Sequence, residues 1–93
     1  MAWRRPKHTP PPYRLTFRKT AAKQLAAGLE QLVALSALTY IKTELADDPY
    51  GQGRQLKPYP RLFSARKRQF RVIYEIDDAE RLVTVIAVDD RES

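Results

Sequence analysis

Residues 66–76, Arg66-Lys67-Arg68-Gln69-Phe70-Arg71-Val72-Ile73-Tyr74-Glu75-Ile76, decide how this chain folds. The second half of the stretch alternates. Phe70, Val72, Tyr74 and Ile76 point one way, while Arg71, Ile73 and Glu75 point the other, which is the pattern of a strand with one face in a core. The first half is a run of cations entering that strand. The positive charge extends upstream: Arg54, Lys57, Arg61, Arg66, Lys67, Arg68 and Arg71 all fall between positions 49 and 74, where there is no Asp or Glu. Cations gathered on a rigid sheet mark a surface that grips an anionic polymer.

Working outward, residues 77–80 (Asp-Asp-Ala-Glu) predict a hairpin turn, and residues 81–88 (RLVTVIAV), apolar on both faces, predict a central strand. Upstream, residues 61–67 predict a strand with Phe63 and Ala65 on one face and Leu62, Ser64 and Arg66 on the other. A tight turn near Arg68 and Gln69 joins it to the next strand. The glycines and prolines of residues 49–60 predict a loop, since Pro58 and Pro60 would spoil a central strand. Residues 29–46 predict a helix ended by Asp47-Asp48-Pro49. Leu29, Leu32, Val33, Ala37, Tyr40 and Ile41 would form its apolar face, leaving Leu35 and Leu38 outside it. Gly28 marks a joint with a shorter helix over 21–27, for which Thr20 is the expected cap. Residues 13–18 alternate again, with Tyr13, Leu15 and Phe17 inward. Residues 1–12, with four prolines and three cations, are expected to be a flexible basic arm ahead of a single domain at 13–93.

Ninety-three residues suffice for one hydrophobic core and no more. No apolar run reaches the roughly 20 residues that a membrane helix requires. Pro10-Pro11-Pro12 stands where a signal peptide would need its apolar segment. The absence of cysteine excludes disulfides and thiolate metal sites, and a cytoplasmic location is expected. Asp89 and Asp90 are adjacent on a strand and would face opposite ways, so no metal pair is expected there. No cofactor is implied. The net charge of +6 matters less than its segregation: acids collect at 44–48, 75–80 and 89–92, leaving the middle strongly positive.

The predicted order, strand–helix–helix–three-strand meander, describes an α+β domain with a mainly antiparallel sheet and two helices packed on one face. That order resembles the RelE/ParE superfamily of bacterial type II toxins. So do Leu45-x-x-x-Pro49-x-Gly51 followed by Leu56, the strand Phe70-Arg71-Val72-Ile73-Tyr74-Glu75-Ile76, and a closing strand ending Val88-Asp89-Asp90-Arg91. The resemblance covers about residues 13–91. It implies a compact toxin neutralised by a cognate acidic antitoxin. RelE-like members cut mRNA on the ribosome, without a metal, by attack of a 2′-hydroxyl on the adjacent phosphate. ParE-like members poison DNA gyrase.

Matched by position, the resemblance assigns catalytic phosphate contacts to Arg71 and Arg91, with Arg66 in the cation-bearing second-strand region. Arginine's planar fork suits phosphate oxygens. Arg54, Lys57, Arg61, Lys67 and Arg68 are the expected contacts to RNA and ribosome. Leu35 and Leu38 are the expected contacts to an apolar antitoxin helix. Glu75 is expected to hold Arg71 by a salt bridge, and Tyr74 to belong to the core. RelE-like enzymes often carry a Tyr or His beyond the final arginine, where this chain reads Glu92-Ser93. Three readings therefore stand: a ribosome-dependent endoribonuclease, which the strand motif favours; a gyrase inhibitor; and a catalytically lapsed relative that only binds.

Overall fold

The computed structural model describes residues 12–90. β1 (Arg14–Phe17) leads into α1 (Lys19–Lys23), which continues through a wider π-helical turn at Gln24–Gly28. α2 (Gln31–Tyr40) likewise continues through a π-helical turn at Ile41–Leu45. A short α3 (Pro49–Gln52) and the two-residue β2 (Arg54–Gln55) follow, then β3 (Leu62–Arg66), β4 (Phe70–Asp77) and β5 (Leu82–Asp90). The sheet runs β1-β5-β4-β3-β2. β1 lies parallel to β5, and every other pairing is antiparallel. The expected α+β architecture is therefore the observed one, with α3 and β2 as additions to it.

Those additions lie where a loop was expected. Asp48 explains α3: its carboxylate accepts the Gly51 N–H at 3.1 Å, and Pro49 supplies a helical φ at the first position. The loop after β2 is closed by backbone bonds from Leu56 N–H to the Leu62 carbonyl (2.8 Å) and from Tyr59 N–H to the Leu56 carbonyl (2.9 Å).

The helices cover one face of the sheet. Phe70, Val72, Tyr74 and Ile76 of β4, Phe63 and Ala65 of β3, and Val83, Val85 and Val88 of β5 are buried against Val33, Ala37, Tyr40, Ile41 and Leu45. Fully burying one such valine contributes about 1.5–3 kcal/mol. Tyr13, Leu15 and Phe17 pack on the edge of this core, as expected.

Two helix expectations are corrected. Leu32 is 69% exposed rather than part of the apolar face. Leu29 is extended (φ −116°, ψ 153°), so α2 starts later, and its buried face centres on Val33, Ala37 and Tyr40. Leu32 sits about 100° round the helix from Val33 and misses that face. Thr20 lies inside α1, whose N-cap is Arg18 with no capping side chain.

One irregularity sets the far end of β5. Ile73 pairs with Ala87, but Tyr74 pairs with Val85, so Ile86 is an extra residue in the ladder. A one-residue insertion exchanges the faces of every residue beyond it. Val85 and Val88 can therefore both be buried although three positions apart, and Asp89 emerges on the face of Arg71.

Candidate functional site

Where the sheet face without helices meets the β2 edge there is an open groove of about 600 Å³. Arg54, Ser64, Arg66 and Arg71 line it together with residues 51–53. Strand alternation aims the two central arginines: Phe70, Val72 and Ala65 are buried, so Arg71 and Arg66 face outward. They are also directly opposite each other across β3 and β4. Like charges in that relation repel, and an anion between or above them removes the penalty. The groove has the chemistry of a phosphate-binding surface.

The counter-ion of Arg71 is Asp89, not Glu75. Arg71 Nη2 stands 3.4 Å from Asp89 Oδ2. The correction has a geometric cause: residues four apart on one strand are separated by about 13 Å, whereas Asp89 is the cross-strand partner of Arg71. Glu75 faces Leu62 and Thr84 instead. The second oxygen of Asp89 accepts a hydrogen bond from Gln24 Nε2 at 3.0 Å, and Gln24 Oε1 accepts the Val88 N–H at 2.6 Å. Gln24 does not stand out in the sequence as part of a site, and Asp89 figures there only as half of a metal pair and as part of the closing-strand motif. Only the Asp-rich end of β5 hints at it.

The other expected cations divide. Arg54, Lys57, Arg66 and Arg68 are exposed and form no ion pair among the described residues. Arg61 is held by Asp77 at 3.1 Å and donates to the Ile76 carbonyl at 3.4 Å. Lys67 leaves the arginine groove: it lies 3.9 Å from Glu44 and 4.8 Å from the centre of the Tyr40 ring. There it helps line a second depression of about 470 Å³ with Leu35, Ser36, Thr39 and Phe70. Leu35 is 61% exposed on that rim, whereas Leu38 is half-buried. Arg91 lies outside the described residues, as does most of the basic arm at 1–12.

One wall of the arginine groove, α3, is fastened by tyrosine hydroxyls. Tyr74 donates to the Pro49 carbonyl at 2.6 Å from within the core, as expected of a core residue, and Tyr40 donates to Gln52 Oε1 at 2.8 Å. Tyr50 donates to Asp78 Oδ2 at 2.5 Å, and Tyr13 to Asp78 Oδ1 at 2.7 Å. Burial, aided by Glu44 and Asp48, pushes the Tyr40 hydroxyl up to about 12. The bond to Asp78, followed by burial, raises Tyr50 to about 12. Burial raises Tyr74 as well. The bonds from Tyr50 and Tyr13 hold the Asp78 carboxyl below its ordinary value. At Gly53, a side-chain carbon would collide with the Tyr74 hydroxyl and come within 2.7 Å of the Ser64 carbonyl oxygen, so only glycine fits there.

Among the described residues no group of acidic or histidine side chains could hold a metal ion, and no helix is long and apolar enough to cross a membrane.

The family model described as the ParE toxin of the type II toxin–antitoxin system parDE matches residues 10–93. Toxin RelE of Mycobacterium tuberculosis is 31% identical over 78 residues, spanning 83% of this chain and 79% of the relative. The toxin–antitoxin complex RelBE2 of the same organism contains a chain of the same fold. It has a TM-score of 0.80 and 30% identity, with 86% of this chain and 99% of that one covered. The intact RelBE complex of E. coli gives a TM-score of 0.71 at 25% identity over 87% of this chain and 99% of that one. The chain belongs to the RelE/ParE superfamily of toxins from type II toxin–antitoxin systems.

Proposed function

We propose that this toxin is a ribosome-dependent mRNA endoribonuclease. The observation that carries the reading is the opposition of Arg66 and Arg71 in a groove where Arg66 and Arg54 have no carboxylate partner among the described residues. In the proposed reaction the 2′-oxygen of one nucleotide attacks the adjacent phosphorus, and the bond to the 5′-oxygen breaks as the new bond forms. Negative charge builds on the equatorial phosphate oxygens. Guanidinium groups already aimed at those oxygens stabilise that charge more than they stabilise the ground state. Arg71 and Arg66 are the proposed clamps, with Arg91 as a third. Arg54, Lys57 and Arg68 are proposed to follow the RNA backbone and the ribosome. Arg61 and Lys67, already engaged by Asp77 and Glu44, would contribute less.

An antitoxin is the second proposed partner, supported by the complexes in which the similar chains occur. Its anchor would be the depression on α2, where Leu35 offers apolar surface beside Lys67.

A gyrase-directed reading has one observation in its favour, the ParE description of the matched family. Mapping of mRNA 5′ ends after brief induction of wild type and Arg71→Ala separates the two. Arg71-dependent cuts within translated frames support the nuclease. Growth arrest with intact messages supports gyrase inhibition, and neither cuts nor arrest supports a lapsed relative.

A further inference from the structure

We propose that Asp89 and Gln24 are positioning residues for Arg71, fixing the direction from which its guanidinium meets a phosphate; the inference rests on the nuclease reading. An arginine on a sheet surface has many rotamers and, unheld, spends little time at any single point above the groove. Here the side chain is tied down in three steps. Asp89 Oδ2 takes one guanidinium nitrogen at 3.4 Å. Asp89 Oδ1 is occupied by Gln24 Nε2 at 3.0 Å, so the carboxylate cannot rotate freely. Gln24 is pinned in turn, because its Oε1 accepts the Val88 N–H at 2.6 Å.

That N–H is free for Gln24 because β1 stops short. The last β1–β5 pair is Phe17 with Val85, and beyond it the edge of β5 meets the α1 extension instead of a strand. The extra residue Ile86 then brings Asp89 level with Arg71. A helix, a strand end and a bulge thus converge on one guanidinium. A guanidinium has five N–H donors, so the contact with Asp89 leaves several for a phosphate. Asp89 also offsets the repulsion between Arg66 and Arg71. Its charge opposes an incoming polyanion, so its contribution is to orientation rather than to affinity. That separation is the signature to seek.

The test is cleavage of a defined mRNA on programmed ribosomes by wild type, Asp89→Asn and Gln24→Glu. Affinity for a fluorescein-labelled single-stranded RNA is measured by anisotropy, and folding by thermal melts. Asp89→Asn is expected to lower kcat by up to about 100-fold, the scale on which a 1 Å misplacement of a catalytic group acts, with RNA affinity unchanged or higher. Gln24→Glu keeps the acceptor for Val88 but sets a carboxylate against Asp89, and is expected to lower kcat while melting near wild type. Wild-type kcat in Asp89→Asn overturns the inference and leaves the nuclease reading standing, as does a parallel fall in RNA affinity and rate. A wild-type protein that cuts nothing overturns the nuclease reading, and the inference with it, before any variant is compared.

Discussion

Arg66 and Arg71 are cross-strand partners, two guanidinium groups set opposite each other on the exposed face of β3 and β4, and among the described residues only Arg71 has a carboxylate beside it. In nucleic-acid binding each cation that neutralises a phosphate releases counter-ions, which makes affinity salt-dependent. Arg66→Ala should weaken binding to single-stranded RNA and reduce the slope of log K against log salt by about 0.7, and Arg71→Ala should reduce it by less, because Asp89 already offsets part of that charge. Arg61→Ala should leave the slope nearly unchanged, because Asp77 already neutralises that side chain. Anisotropy titrations at several salt concentrations check all three.

Gly53 forms part of the groove wall where backbone and the Tyr74 hydroxyl leave no room for a side chain. Gly53→Ala should destabilise the fold by about 1–3 kcal/mol, the range for overpacking a filled site. Denaturant unfolding measures the loss.

Tyr74→Phe removes the buried hydroxyl that donates to the Pro49 carbonyl. A loss of about 1–3 kcal/mol is expected. Because Pro49 starts α3, hydrogen exchange should rise in residues 49–53 more than in β5.

The tyrosine clasp predicts stability limits at both ends of the pH scale. Tyr40, Tyr50 and Tyr74 have folded pKa values above the ordinary value of 10, so the folded state holds their protons more tightly than the unfolded chain. Their contribution is complete below about pH 10 and is lost as pH rises through the folded values, near 12 for Tyr40 and Tyr50. Phenolate absorbance should therefore appear together with loss of circular dichroism. Asp78 has the opposite sign: its folded pKa is lowered, so its contribution is present above about pH 4 and fades as pH falls through the folded value. Asp78→Asn should narrow the difference in melting temperature between pH 7 and pH 3.

Leu35→Asp places a charge in the depression on α2 without touching the core, since the side chain is exposed. Antitoxin affinity should fall at least about tenfold with an unchanged melting temperature. Leu38→Asp is a poorer probe, because that residue is half-buried and its loss would mix binding with stability.

By itself, the sequence determined the four longer strands and which faces of β1 and β4 are buried. Period-two alternation in residues 70–76 places Val72 and Tyr74 in the core and Arg71 outside, and this requires no knowledge of any neighbour, because the faces of a strand are a local property of its backbone. The concentration of cations between 49 and 74 was equally legible, as was Gly28 as the joint between helices. The tertiary structure decided what those cations meet. Arg71 pairs with Asp89 and not with Glu75 because strand register brings residues 18 apart into contact while a strand holds near neighbours apart. Lys67, adjacent to Arg66 in the chain, faces Glu44 and Tyr40 in a different depression. Leu32 lost its predicted place in the core because the buried face of α2 centres on Val33, Ala37 and Tyr40, and Leu32 lies about 100° round the helix from Val33. Above all, the extra residue at Ile86 returns Val88 to the core and turns Asp89 toward Arg71. A bulge is a compromise between two strands, so neither strand's sequence announces it alone.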